Sequence, residues 1–243
     1  MRVPRFYTPQ PLAVEHNLTL ETAPSHHLLK VLRARPGDAL ILFNGDGHEY
    51  RAILDGSEGK LARLQITGVS APKRESGLHI SLGQGISRGE RMDLVIQKAV
   101  ELGVNELTPL WTRRSQVRLT GQRLEKRLSH WQGIVIAACE QSGRVRLPTL
   151  HPDSSLDAWL ATGSAGPGLV LDPGAGQVLH ELEVQTRVRI LLGPEGGFES
   201  AEVELARAAG FQAVRLGPRI LRTETAALAT LSALQTLWGD FGG

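Results

Sequence analysis

Two short apolar runs in this chain end in the same three residues, and each leads through a charged loop into a helical segment. The first reads Ile190-Leu191-Leu192-Gly193-Pro194-Glu195-Gly196-Gly197-Phe198. The second reads Val214-Arg215-Leu216-Gly217-Pro218-Arg219-Ile220-Leu221-Arg222-Thr223-Glu224. An apolar run that breaks on Gly-Pro reads as a buried strand ending in a turn: proline removes a ladder donor and glycine takes the sharp path. Strand–loop–helix units in tandem favour a parallel sheet, because parallel neighbours need a crossover between them. Such sheets bind ligands beyond the carboxyl ends of their strands. Those two loops, with Asp172-Pro173-Gly174 after Leu169-Val170-Leu171, are therefore where chemistry is expected.

Upstream segments alternate in the same way. Leu78 to Leu82 is strand-like, and Arg88 to Gly103 is an amphipathic helix with Met92, Val95, Ile96, Ala99 and Val100 on its apolar side. Strands are predicted at Glu106 to Trp111 and Arg146 to Leu150, with a long helix over Gly121 to Ser142. Residues 1–72 read instead as a small β domain. Asn44-Gly45 and Asp46-Gly47 are hairpin signals, Asp55 to Gly59 reads as another turn, and Ala62, Leu64 and Ile66 alternate with polar residues. Ser25 to Arg33 is predicted as one short helix with Ser25 as its N-cap. Ala71 to Gly77 reads as the linker, so residues 73–243 form the α/β part.

Composition matters chiefly for what it excludes. No run of about 18 apolar residues is present, so no membrane span is expected. The start, Met1-Arg2-Val3-Pro4-Arg5-Phe6-Tyr7, lacks an apolar leader, and the single cysteine, Cys139, fits a reducing compartment; the expectation is a cytoplasmic protein. No Cys/His cluster or H-E-x-x-H suggests a metal, no G-x-x-x-x-G-K-[ST] a nucleotide triphosphatase, and no G-x-S-x-G a hydrolase. Gly83-Gln84-Gly85-Ile86-Ser87-Arg88-Gly89 misses the dinucleotide fingerprint by one residue. Net charge is only +2, but 22 of the 27 basic residues are arginine. From Trp111 to Arg146 eight basic residues face two acidic ones. That excess reads as a phosphate footprint or as a solvated helix face with loops. The loops too have two readings. They form a pocket whose free main-chain groups can read an adenine edge, or they are ordinary turns with Thr223 as a helix N-cap and Arg222 in a surface ion pair.

Longer motifs narrow the choice. They are Arg5-Phe6-Tyr7, His27 to Arg33, Gly89 to Gly103 (Gly-Glu-Arg-Met-Asp-Leu-Val-Ile-Gln-Lys-Ala-Val-Glu-Leu-Gly), Glu140 to Arg144, Gly193 to Phe198, and Leu216 to Ala226. With these, the chain resembles the bacterial 16S ribosomal RNA uridine N3-methyltransferase family, in the SPOUT class of knotted methyltransferases. Arg88 stands where lysine is common there, and Arg113 where an acidic residue is frequent.

The resemblance implies an α/β SPOUT domain with a parallel sheet and a deep trefoil knot, preceded by a small β-rich PUA-like RNA-binding domain. It implies S-adenosylmethionine as cofactor, a homodimer, and 16S ribosomal RNA in the small subunit as partner. Carried onto this chain, the cofactor cleft is Leu171, Leu192, Gly193, Pro194, Gly197, Leu216, Gly217, Ile220, Leu221, Arg222 and Ala226. Uridine N3 is a protonated imide nitrogen, so transfer requires proton removal and stabilisation of charge on the flanking carbonyls. Arg222 is the expected anion stabiliser, and Glu195 and Glu224 are candidate proton acceptors or orienting groups; capping of backbone amides is an equal reading for Glu195. Phosphate contacts are expected from Arg2, Arg5, Lys30, Arg33, Arg88, Arg113, Arg114, Arg118 and Arg144. The alternative is a non-catalytic RNA-binding ribosome-assembly protein that keeps the fold.

Overall fold

The computed structural model describes residues 3–115, 120–163 and 166–242, and the expected phosphate contacts Arg2 and Arg118 lie outside them. The chain divides into two compact units, residues 1–75 with 139–147, and residues 76–138 with 148–243.

The first unit is a five-stranded sheet in the order β1-β3-β4-β5-β2. Its strands are β1 (Arg5–Tyr7), β2 (Asn17–Thr19), β3 (Ala39–Phe43), β4 (Glu49–Glu58) and β5 (Leu61–Ser70). β1 pairs with β3 in parallel and the other pairings are antiparallel. Alternate residues of β4 and β5, among them Leu54, Leu64 and Ile66, are buried with Phe6, Leu28 and Leu42. The Asn44–Gly47 turn forms as expected, pinned by the Tyr50 hydroxyl, which donates to Asp46 at 2.7 Å. Asp55-Gly56, read as a turn, instead marks a shift of register inside β4, and the chain reverses after Glu58. A glycine within a strand often marks such a bulge.

The predicted helix starts earlier and changes pitch. α1 covers Thr22–His26 and passes into one π-helical turn over His27–Val31. Ser25 is not its N-cap; Glu21 takes that place. Ser25 is fully buried, donating from Oγ to the Leu20 carbonyl at 3.0 Å and accepting the Ala62 amide at 2.9 Å, which ties α1 to β5.

Two expected phosphate-binding arginines are placed otherwise. Arg5 is 9% and Arg144 5% exposed. Arg5 pairs with Glu49, donates to the Arg144 carbonyl at 3.1 Å and lies over the Phe43 ring. Arg144 pairs with Glu75 at 2.8 Å. Both charges are neutralised and removed from solvent, so neither guanidinium is presented to a backbone phosphate. Glu75 also accepts the amides of Val145 and Arg146 at 3.1 Å. Those amides are therefore diverted from a ladder, and the strand predicted over Arg146 to Leu150 shortens to Thr149–Leu150. Cys139 is buried in the same unit, and burial pushes its thiol up to about 12, as suits a packed side chain.

The second unit is an α/β layer whose eight described strands pair in parallel throughout. They are β6 (His79–Gly85), β7 (Glu106–Trp111), β8 (Thr149–Leu150), β9 (Ser154–Ser155), β10 (Gly168–Leu171), β11 (Gln177–Val178), β12 (Arg187–Leu192) and β13 (Phe211–Arg215). Their order is β11-β13-β10-β12-β6-β7-β8, with β9 beside β7. The helices are α2 (Glu90–Glu101), α3 (Gly121–Ser142, whose last turn belongs to the first unit), α4 (Leu156–Ala161), α5 (Ser200–Ala208) and α6 (Thr223–Leu237). Inner strands are apolar on both faces, as Ile190, Leu191, Leu169 and Val170 illustrate, because helices cover the sheet. Among the described residues no helix is long and apolar enough to cross a membrane.

A candidate cofactor and catalytic cleft

Strands β13, β10 and β12 are neighbours in the parallel sheet, so their carboxyl ends lie side by side. The loops that leave them enclose a cleft of about 390 Å³. That volume lies within the range of small-ligand sites. Of the residues expected to hold a cofactor, Leu171, Leu192, Gly193, Pro194, Gly197, Leu216, Gly217, Ile220, Leu221 and Ala226 line it. Gly197 and Gly217 adopt φ of 66° and 88°, a region where a side chain would be strained. The glycines thus let the main chain face the cavity where a side chain would fill it.

Arg222 is placed differently. It is exposed, lies outside the cleft wall as the N-cap of α6, and its side chain makes no ion pair among the described residues. The surface ion pair of the ordinary-turn reading is therefore absent there. Thr223 does not cap the helix either; its hydroxyl donates to the Gly193 carbonyl at 2.7 Å. Glu224 sits in the first turn of α6 with Oε2 buried and unpartnered.

Glu195 lines the cleft and is anchored. Its Oε1 accepts the Arg88 amide at 2.8 Å and the Arg91 guanidinium at 3.1 Å, which fastens the loop to the start of α2. Burial pushes this carboxyl up, but hydrogen bonds from the Arg88 amide, its own backbone and Arg91, with the Arg91 charge, bring it net below its ordinary value. A carboxylate held ionised in this way is a weak proton acceptor near neutrality. Its contribution to stability is full above the ordinary value of 4.5 and is lost as pH falls through the lower folded value. Glu195→Gln should therefore melt below wild type near neutral pH, and the gap should narrow as pH falls below the ordinary carboxylate value, read by thermal unfolding across the series. A constant gap would assign Glu195 no charge-dependent anchoring role.

The remaining basic residues divide. Arg114 lines the cleft and donates to the Gly196 carbonyl at 3.0 Å, and Arg113 pairs with Glu199 at 3.3 Å. Lys30, Arg33 and Arg88 are exposed, without a carboxylate partner among the described residues. Sequence reasoning missed Arg114 as a wall of the cleft, Arg91 as the partner of Glu195, and Gln84. The last left a signal, a side-chain amide between two glycines at the end of strand β6. A larger cavity of about 670 Å³, lined by Trp111, Leu124, Asp153 and Leu156 among others, shares none of the glycine loops. Among the described residues no group of three or more His, Cys, Asp or Glu is placed to hold a metal.

Residues 74–235 match the model of an RNA methyltransferase domain, and residues 21–67 that of an RNA methyltransferase PUA domain. The chain is 36% identical over 241 residues to ribosomal RNA small subunit methyltransferase E of Buchnera aphidicola from Schizaphis graminum, covering 98% of both proteins. The chain belongs to the ribosomal RNA small subunit methyltransferase E family. A family member from Neisseria gonorrhoeae, solved bound to S-adenosyl methionine, superposes with a TM-score of 0.93 at 41% identity, covering 99% of this chain and 100% of that one. A protein from Legionella pneumophila, solved with the cofactor SAM, gives a TM-score of 0.96 at 39% identity, with the same coverage. The PUA match falls within the first unit; the methyltransferase match covers most of the second and also residues 74–75 and 139–147 of the first.

Proposed function

We propose that this chain methylates N3 of a specific uridine in 16S ribosomal RNA, on the small ribosomal subunit, with S-adenosylmethionine as methyl donor. The observation that carries this reading is the convergence of three strand-end loops on one cleft, in a chain whose relatives are named ribosomal RNA small subunit methyltransferase E. The cleft suits the donor. It offers apolar walls at Leu171, Leu192 and Leu221, main chain at Gly193 and Gly217, and buried polar atoms without partners at Arg215 Nε and Glu195 Oε2.

Bound there, S-adenosylmethionine supplies an electrophilic methyl group on a sulfonium centre. The protein's own task is to present the base and manage one proton. The target uridine must leave any stack to reach the cleft. Glu195 and Glu224 each keep one buried carboxylate oxygen without a partner among the described residues. Glu195 lines the cleft, but its other oxygen is engaged by Arg88 and Arg91, which holds it ionised; Glu224, in the first turn of α6 and outside the cleft lining, is therefore the proton acceptor we favour. Arg222, free of ion pairs at the mouth of α6, stabilises negative charge spreading onto the uracil carbonyls. Lys30, Arg33 and Arg88 are the phosphate contacts that remain available, with Arg113 and Arg114 bordering the cleft.

We further infer that the loops at 193–197 and 216–221 belong to a deep trefoil knot, and that residues 1–72 and 73–243 are the RNA-binding and catalytic domains. We infer a homodimer acting in the cytoplasm. Methyl transfer from labelled S-adenosylmethionine to isolated small subunits, with mass mapping of the product, tests the assignment. One methyl on uridine N3 of 16S RNA is the expected result. S-adenosylmethionine binding without transfer to any ribosomal substrate would favour the assembly-protein reading instead.

A further inference from the structure

The two halves of the cleft come from different loops, and something must set the distance between them. Gln84, at the end of β6, is fully buried and lies opposite Leu192 in the β6–β12 register. Its Nε2, with two hydrogens to share, lies within hydrogen-bond distance of three acceptors: Gly193 O at 3.2 Å, Thr223 Oγ1 at 3.1 Å and Gly85 O at 3.0 Å. Thr223 Oγ1 in turn donates to the same Gly193 carbonyl at 2.7 Å. One carbonyl thus gathers a side chain from β6 and another from α6, and it belongs to the first residue of the Gly193–Gly197 loop. A Cβ on Gly85 would come within 2.5 Å of Pro194, so β6 also touches this loop directly.

Gln84 does not line the cleft. Its Oε1 is buried with no partner among the described residues, so every hydrogen bond its amide makes runs to the loop, to Thr223 or to the adjoining Gly85. From this geometry we propose that Gln84 is a positioning residue. Through the Gly193 carbonyl and the Thr223 hydroxyl it fixes the spacing between the Leu192–Gly197 wall and the Ile220–Ala226 wall, and so sets the affinity for S-adenosylmethionine. The inference rests on the proposed function. Thr223 is the partner through which Gln84 acts, so the two residues form one unit.

Gln84→Met keeps the length of the side chain and removes the donor. Thr223→Val keeps the shape and removes the hydroxyl. Calorimetric titration of the purified full chain should find each variant binding S-adenosylmethionine about tenfold more weakly. The double variant should be no worse than about tenfold, because coupled residues are not additive. Thr223→Ser should restore binding, and in steady-state assays of Gln84→Met the KM for S-adenosylmethionine should rise more than kcat falls. Folded variants with wild-type affinity, or losses that multiply to about a hundredfold in the double variant, would overturn the proposal. If Gln84→Met does not fold, Gln84→Asn, which keeps the amide but shortens its reach by one methylene, carries the same test, because Thr223 itself lines the cleft. A wild-type chain that does not bind S-adenosylmethionine would fail the proposed function itself, a distinguishable result.

Discussion

Arg222→Ala should slow methyl transfer by about a hundredfold to a thousandfold and leave S-adenosylmethionine affinity within about twofold of wild type. The reason is positional. Leu221 and Thr223, on either side, line the cleft, whereas Arg222 stays outside its wall, exposed and without an ion pair among the described residues. An unpaired guanidinium beside a cofactor cleft has its charge available for a second reactant. As N3 loses its proton, negative charge spreads to the neighbouring carbonyl oxygens, and a fixed donor fork meets it without reorganisation. Arg222→Lys keeps the charge but not the fork, so it should recover only part of the rate. Single-turnover kinetics at saturating cofactor, with parallel calorimetry, separates the two quantities. A loss of cofactor affinity as large as the loss of rate would assign Arg222 to holding the cofactor, the other role the family resemblance gives it.

Arg5→Ala should destabilise the first unit by about 3 kcal/mol or more, because it strips a partner from the buried Glu49 carboxylate. Arg74 also reaches Glu49 but is partly exposed, so it compensates only in part. The same substitution should leave the salt dependence of RNA affinity unchanged, measured at a temperature where the variant is folded. Lys30→Ala should behave in the opposite way. Its side chain is exposed, so stability should hold while the slope of log affinity against log salt falls by about one. Denaturant unfolding and a salt titration of RNA binding read the two effects independently. If Arg5→Ala lowered the salt slope and spared stability, its guanidinium would be a phosphate ligand after all.

These contrasts locate the limits of sequence reading. The parallel sheet was legible because burial on both faces leaves continuous apolar runs such as Ile190-Leu191-Leu192, and Gly-Pro marks where each run must stop. The loops were legible as strand ends, but the individual cleft residues came from the family resemblance, and only the sheet order makes the three strands neighbours. The N-cap at Ser25 was misplaced because a buried serine can serve two long-range backbone partners, Leu20 and Ala62, instead of a local amide. The turn read over Asp55 to Gly59 begins only at Gly59, because a glycine in a strand signals a bulge and a turn with the same residues, and Gly56 marks the bulge.

Charge was the least legible property. Arg5, Arg144, Lys30 and Arg33 carry the same formal charge in the sequence, yet the first two close ion pairs inside the first unit and the others face solvent. Glu195 and Glu224 looked like equivalent carboxylates, and their difference lies in Arg88 and Arg91, more than a hundred residues from Glu195. The sequence by itself determined where strands end and which loops lack side chains, because periodicity and backbone permission act between near neighbours in the chain. Only the tertiary structure decided which charged and polar groups are free to act. That depends on who lies across a hydrogen bond, and in Gln84, Gly193 and Thr223 the partners come together from three separate elements.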